Sequence, residues 1–114
     1  MKTERIDGIE WPEEIPMPQA GGFHRGSYHD HQTNRLIVKS CLLGWSIRGF
    51  AWRGFHKAKR RFSSAMLAAV RRRGFDTVHQ FNDNENTADA DRMAVWDEAA
   101  AEFGYFRTDE DWTP

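Results

Sequence analysis

Between Lys57 and Arg73 the apolar side chains recur with a helical period. At about 100° per residue, Ala58, Phe62, Ala65, Met66, Ala69 and Val70 fall on one stripe. Lys57, Arg60, Arg61, Arg71 and Arg72 take the opposite side, the pattern of a surface helix with one buried face. Arg71 to Arg73 complement the negative end of the helix dipole, and Gly74 follows where helices turn into left-handed backbone. A second helix is predicted from Thr87, whose hydroxyl can cap it, with Asp89 and Asp91 favouring its positive end. Its stripe is Val95, Trp96, Ala99, Ala100 and Phe103, and Gly104 stops it.

The remaining pattern reads as strands. Leu36 to Leu43 is rich in branched aliphatics; Gly44 can turn the chain, and Trp45, Ile47 and Ala51 alternate with Ser46 and Arg48. That predicts a hairpin whose second strand bulges at Gly49. Phe75 to Phe81 reads as a short third strand, followed by polar turn material from Asn82 to Asn86. Residues 1–30, with Pro12, Pro16, Pro18 and Gly21-Gly22, read as an extended arm that can lie across a core through Trp11, Ile15 and Met17. The expected fold is α+β in the order ββαβα: a small antiparallel sheet packed against two amphipathic helices in one domain, 31–106, with an acidic tail at 107–114. Its expected core contains Phe62, Met66, Val70, Trp96, Ala99 and Phe103.

Composition adds limits. A length of 114 residues fits one domain, and 13% aromatic residues argue for a folded state. The single Cys41 rules out an internal disulfide and a thiolate zinc cluster. No apolar leader follows Met1, and no apolar run approaches the ~20 residues that span a bilayer, so a reducing, cytoplasmic setting without membrane contact is expected.

Charge changes the picture more. Residues 31–75 hold eleven lysines and arginines and no acid, whereas residues 76–114 hold eleven acids against Arg92 and Arg107. Such segregation bears on partners and not on fold. Between Trp45 and Phe62, five aromatics (Trp45, Phe50, Trp52, Phe55, Phe62) interleave with Arg48, Arg53, Lys57, Lys59, Arg60 and Arg61. That mixture suits RNA or single-stranded DNA, where cations track phosphates and rings stack on bases. The competing reading puts the aromatics in the core and lets the acidic helix, or a second copy of the chain, meet the cations. Arg-Gly-Phe occurs at 48–50, 53–55 and 73–75, too irregularly for a repeat architecture.

Catalytic patterns are weak. His29-Asp30-His31, with His24 nearby, is the metal-like cluster; it lacks a complete first shell, so no metal and no cofactor are expected. Cys41, inside an apolar run, reads as core. The acids Asp83, Glu85, Asp89 and Asp91 lack the glycine and terminal glutamate of a calcium loop. In size, charge polarity and absence of catalytic motifs the chain resembles the small accessory proteins of phages and mobile elements, anti-CRISPR proteins among them. The resemblance is one of type and aligns no residues. It implies a non-enzymatic protein that docks on, and blocks, a nucleic-acid-handling complex. Arg48, Trp52, Arg53, Lys57, Arg60, Arg61, Arg71 and Arg72 are the candidate partner-binding residues, Trp and Arg being the types most enriched at interface hot spots. The alternatives are direct binding of RNA or single-stranded DNA through residues 45–62 and, third, a metal-dependent hydrolase on His24, His29 and His31.

Overall fold

A computed structural model describes residues 3–6, 8–13, 29–31 and 37–106. Its centre is the pair of helices that the apolar stripes predict. We number the helices α1 (Leu42–Gly49), α2 (His56–Arg72), α3 (Val78–Asp83) and α4 (Asp89–Ala101), with a 3-10 turn at Ala51–Arg53. Helix α2 packs along α4, and Phe62, Met66, Val70, Trp96 and Ala99 are all fully buried. Phe103 is half-buried against the same cluster.

The expected sheet is not what forms. Strand Ile37–Ser40 exists, but its partner is the short strand His29–His31, with Asp30 opposite Lys39 and a slip in register before His31. The chain from Leu42 on is helix, not a second strand. Four of its five buried positions, Leu42, Trp45, Ser46 and Gly49, follow the i, i+3, i+4, i+7 spacing of one helix face. In the sequence Trp45 and Ile47 alternate with Ser46 and Arg48, which also fits a strand, and short apolar runs can fit both periods. What decides is the supply of partners for the first-turn N–H groups, which no helix can satisfy internally. The Asn82 side-chain carbonyl accepts from Leu42 N–H at 3.1 Å, and Cys41 Sγ accepts from Gly44 N–H at 3.3 Å. Ser46 is tolerated inside because its hydroxyl donates back to the Leu43 carbonyl at 2.6 Å.

The predicted third strand is likewise replaced, by α3. Thr77 caps it, accepting from Gln80 N–H at 3.1 Å, while the Gln80 side chain reaches back to Asp76 N–H at 3.1 Å. This is a capping box displaced by one residue. At α4 the cap also differs from expectation. Ala88, not Thr87, is the N-cap, and Asp91 fixes the entry by accepting Ala88 N–H at 2.9 Å.

Part of the N-terminal arm belongs to the core. Strands β1 (Thr3–Ile6) and β2 (Ile9–Pro12) form an antiparallel hairpin around Gly8, whose φ is 76°. Through β2 it places Trp11, 1% exposed, edge-on to Phe50 and 4.3 Å from Phe103. The Tyr105 hydroxyl donates to the Pro12 carbonyl and pins the end of α4 to the hairpin. The rings of Trp11, Phe50, Phe62 and Trp96 stack in sequence at centroid separations of 5.8, 5.0 and 4.6 Å, each such pair adding ~0.5–1.5 kcal/mol beyond area burial. The arm's later part and the tail 107–114 lie outside the described residues.

Candidate partner-binding site

Two of the three Arg-Gly-Phe triplets are glycine-closed helix stops. At 53–55, Gly54 has φ 87°, its N–H donates to the Ala51 carbonyl, and Phe55 N–H donates to the Phe50 carbonyl. At 73–75, Gly74 has φ 89°, with the matching bonds to Arg71 and Val70. Both are Schellman closures: glycine takes the left-handed position and the aromatic after it folds back on the helix. In both, the arginine turns back on the backbone that precedes it, with Arg53 Nη1 3.4 Å from the Gly49 carbonyl at the end of α1 and Arg73 Nη1 3.0 Å from the Ala69 carbonyl. Both cations are thus engaged by the backbone.

The other basic residues divide along the chain. Arg48 lies over the Trp45 ring at 4.1 Å and donates to Ser40 Oγ at 3.3 Å; burial pulls its guanidinium below its ordinary pKa. Arg71 Nε lies 3.4 Å from the Asp76 carbonyl. Arg72 and Arg73 both clasp Glu98 of α4, at 3.2 and 2.6 Å, and chiefly the hydrogen bond from Arg73 pulls the Glu98 carboxyl below its ordinary value. The acidic helix thus meets the basic one at the C-terminal end of α2. At its N-terminal end nothing comparable occurs among the described residues. Lys57, Arg60 and Arg61 carry no hydrogen bond or ion pair with the described residues, and with Ser64 and Ile9 of β2 they line an open groove of about 350 Å³. The first turn of α2 holds no acid and its N-cap residue, Phe55, makes no side-chain cap. Cations there face the positive end of the helix dipole, which is unfavourable by itself.

The aromatics that would have served a nucleic acid are mostly inside. Trp45, Phe50 and Phe62 are buried, and Phe55 is half-buried beneath the Arg53 guanidinium, 5.6 Å from its ring centre. Trp52, in the turn just before α2, is 59% exposed. Of the candidate residues, the structure gathers Lys57, Arg60 and Arg61 in one groove and sets Trp52 one turn upstream in the chain. Arg48, Arg53, Arg71 and Arg72 are engaged within the fold. Ile9 and Ser64 are groove residues that sequence reasoning missed. The pair Asp7-Gly8 between Ile6 and Ile9 was the available signal for the hairpin that carries Ile9.

Chemistry elsewhere is sparse. Cys41 is buried, desolvation raises its thiol above the ordinary value, and its sulfur is used as a cap. Among the described residues no group of three or more His, Cys, Asp or Glu side chains could hold a metal ion. His24 lies outside the described residues, and His29 and His31 straddle the slip in the strand ladder. No described helix is long and apolar enough to cross a membrane. No family model matches the chain, and neither the curated proteins nor the solved structures contain a match to it.

Proposed function

We propose that the chain is a non-enzymatic binding protein that docks on an acidic protein surface through the N-terminal end of α2 and the adjoining Trp52. The supporting observation is the unequal treatment of the α2 cations. Arg72 and Arg73 are neutralised by Glu98, whereas Lys57, Arg60 and Arg61 line a groove without a described counter-charge. Lys57, in the first turn, sits against the helix dipole, and all three cations gain when an anionic partner arrives. Occupying such a surface on a nucleic-acid-handling complex would block it without chemistry, the mode of action that the charge layout leads one to expect. Direct binding of single-stranded nucleic acid is less well supported, because stacking needs several exposed rings and of the five aromatics in this stretch Trp52 alone is open.

The test is differential capture. A tagged chain should retain a discrete protein from nuclease-treated lysate, and the Arg60→Glu, Arg61→Glu variant should lose it, since like charges at an interface cost several kcal/mol. Unchanged capture by the variant would show that the basic groove is only a solvated surface. Binding to isolated RNA or single-stranded DNA should be weak near physiological salt. A micromolar Kd, with a log–log salt slope of about −0.7 per phosphate contacted, would transfer the function to nucleic acid.

A further inference from the structure

The cationic groove at the start of α2 is matched in charge by a second surface of the same fold. We infer that the groove binds a second copy of this chain, at the acidic junction between α3 and α4. The inference rests on the reading of the groove as a docking surface and names an occupant for it. On the cationic side, Lys57, Arg60 and Arg61 are exposed at i, i+3 and i+4 along one face of α2, within about 6 Å of helix axis at 1.5 Å per residue. On the acidic side, Asp83, Glu85 and Asp91 are exposed. Three positive charges thus have three negative ones to meet.

The fold itself gathers those acids. Buried Arg92 donates through Nε to the Asn82 carbonyl at 3.0 Å and through Nη1 to Asp89 at 2.9 Å, so one guanidinium ties the end of α3 to the first turn of α4. The connection closes as a turn, with Thr87 N–H donating to the Asn84 carbonyl at 3.1 Å. Asp83 ends α3, Glu85 lies in the turn and Asp91 belongs to the first turn of α4. Ala88 and Ala90, also exposed, supply small apolar groups among the acids for the Ile9 edge of the groove. No ion pair among the described residues joins this junction to Lys57, Arg60 or Arg61, so contact between the two surfaces takes a second molecule. Opposite potentials steer such an encounter and fix its register. Each copy carries both halves, and a two-fold pair makes the contact twice.

Sedimentation velocity of the full chain over a concentration series tests this. The mean mass should rise with concentration at low salt and return to that of the monomer at about 1 M, where the Debye length falls to ~3 Å. A chain that stays monomeric at low salt, or associates equally at both salts, would overturn the proposal. The Arg60→Glu, Arg61→Glu variant and the Asp83→Lys, Glu85→Lys variant should each be monomeric alone, because each turns the contact into like-charge repulsion. Mixed together they should associate, since the reversed groove of one then faces the reversed junction of the other. A mixture that stays monomeric, with native circular dichroism in both variants, would place self-association elsewhere and overturn the assignment. If either double variant loses its native spectrum, Glu85→Lys alone, at an exposed side chain, should weaken association of the native groove several-fold, and unchanged association would overturn it. The Asp83→Lys, Glu85→Lys variant keeps the groove and should still capture the lysate protein. Capture that depends on Arg60 and Arg61 in a chain that never self-associates would remove the second copy as occupant and leave the docking groove standing.

Discussion

Replacing Arg92 with leucine should destabilise the fold far more than removing the acid that pairs with it. Arg92 is only 4% exposed although it lies in the acidic C-terminal part of the chain. Two of its guanidinium nitrogens, Nε and Nη2, donate to the Asn82 main-chain carbonyl, the former at 3.0 Å, and Nη1 meets Asp89 at 2.9 Å. Asn82, 1% exposed, in turn accepts from Leu42 N–H through its side chain, so one linkage joins α4, α3 and the start of α1. The backbone carbonyl cannot be mutated away, and leucine strips both charged hydrogen bonds from it in a buried setting. Hydrogen bonds to charged groups contribute ~1.5–3 kcal/mol, so a loss of about 2 kcal/mol is expected. At ~4 °C per kcal/mol for a domain of this size, that lowers Tm by roughly 8 °C. Asp89→Asn touches only the half-exposed end of the pair and should cost no more than ~1 kcal/mol. Urea unfolding followed by circular dichroism measures both variants, with the m-value expected to stay constant. An Arg92→Leu midpoint equal to that of the native chain would refute the reasoning, as would an Asp89→Asn loss equal to that of Arg92→Leu.

Further expectations follow from other contacts. Trp96→Ala should cost ~3–5 kcal/mol in thermal or urea unfolding, because it empties a fully buried site against Phe62 of the α2 stripe. Gly74→Ala should cost about 1 kcal/mol, since φ 89° is strained for any side chain although the space around it is open. The Arg60→Glu, Arg61→Glu variant should melt near the native temperature, because both side chains are exposed and neither forms an ion pair with the described residues. The lowered Glu98 pKa means that its pairing with Arg73 and Arg72 stabilises the fold above the unfolded value of 4.5 and is lost as pH falls through the lower folded value. The site is partly exposed, so the effect should stay below ~1 kcal/mol and vanish in Glu98→Gln.

What the sequence alone determined is the pair of long helices, because a stripe repeated over four turns has one consistent period and ends in a glycine with positive φ. It determined as well that the charge is segregated, and that Phe62, Met66, Val70, Trp96 and Ala99 are core. Two further signals were present but local: Asp7-Gly8 between isoleucines for the first hairpin, and Thr77-x-x-Gln80 for α3. The choice between strand and helix at Leu42–Gly49 was not local. Both periods fit that segment, and the outcome depended on an Asn82 side chain forty residues away that satisfies the helix's first N–H. The cationic face had the same character. Eleven bases in one stretch read alike as a sequence, yet Glu98 lies against one end of α2 and Ile9 against the other. Only tertiary packing sorts cations into those that hold the fold together and those that line an open groove, because an ion pair is set by distance in space, not by separation along the chain.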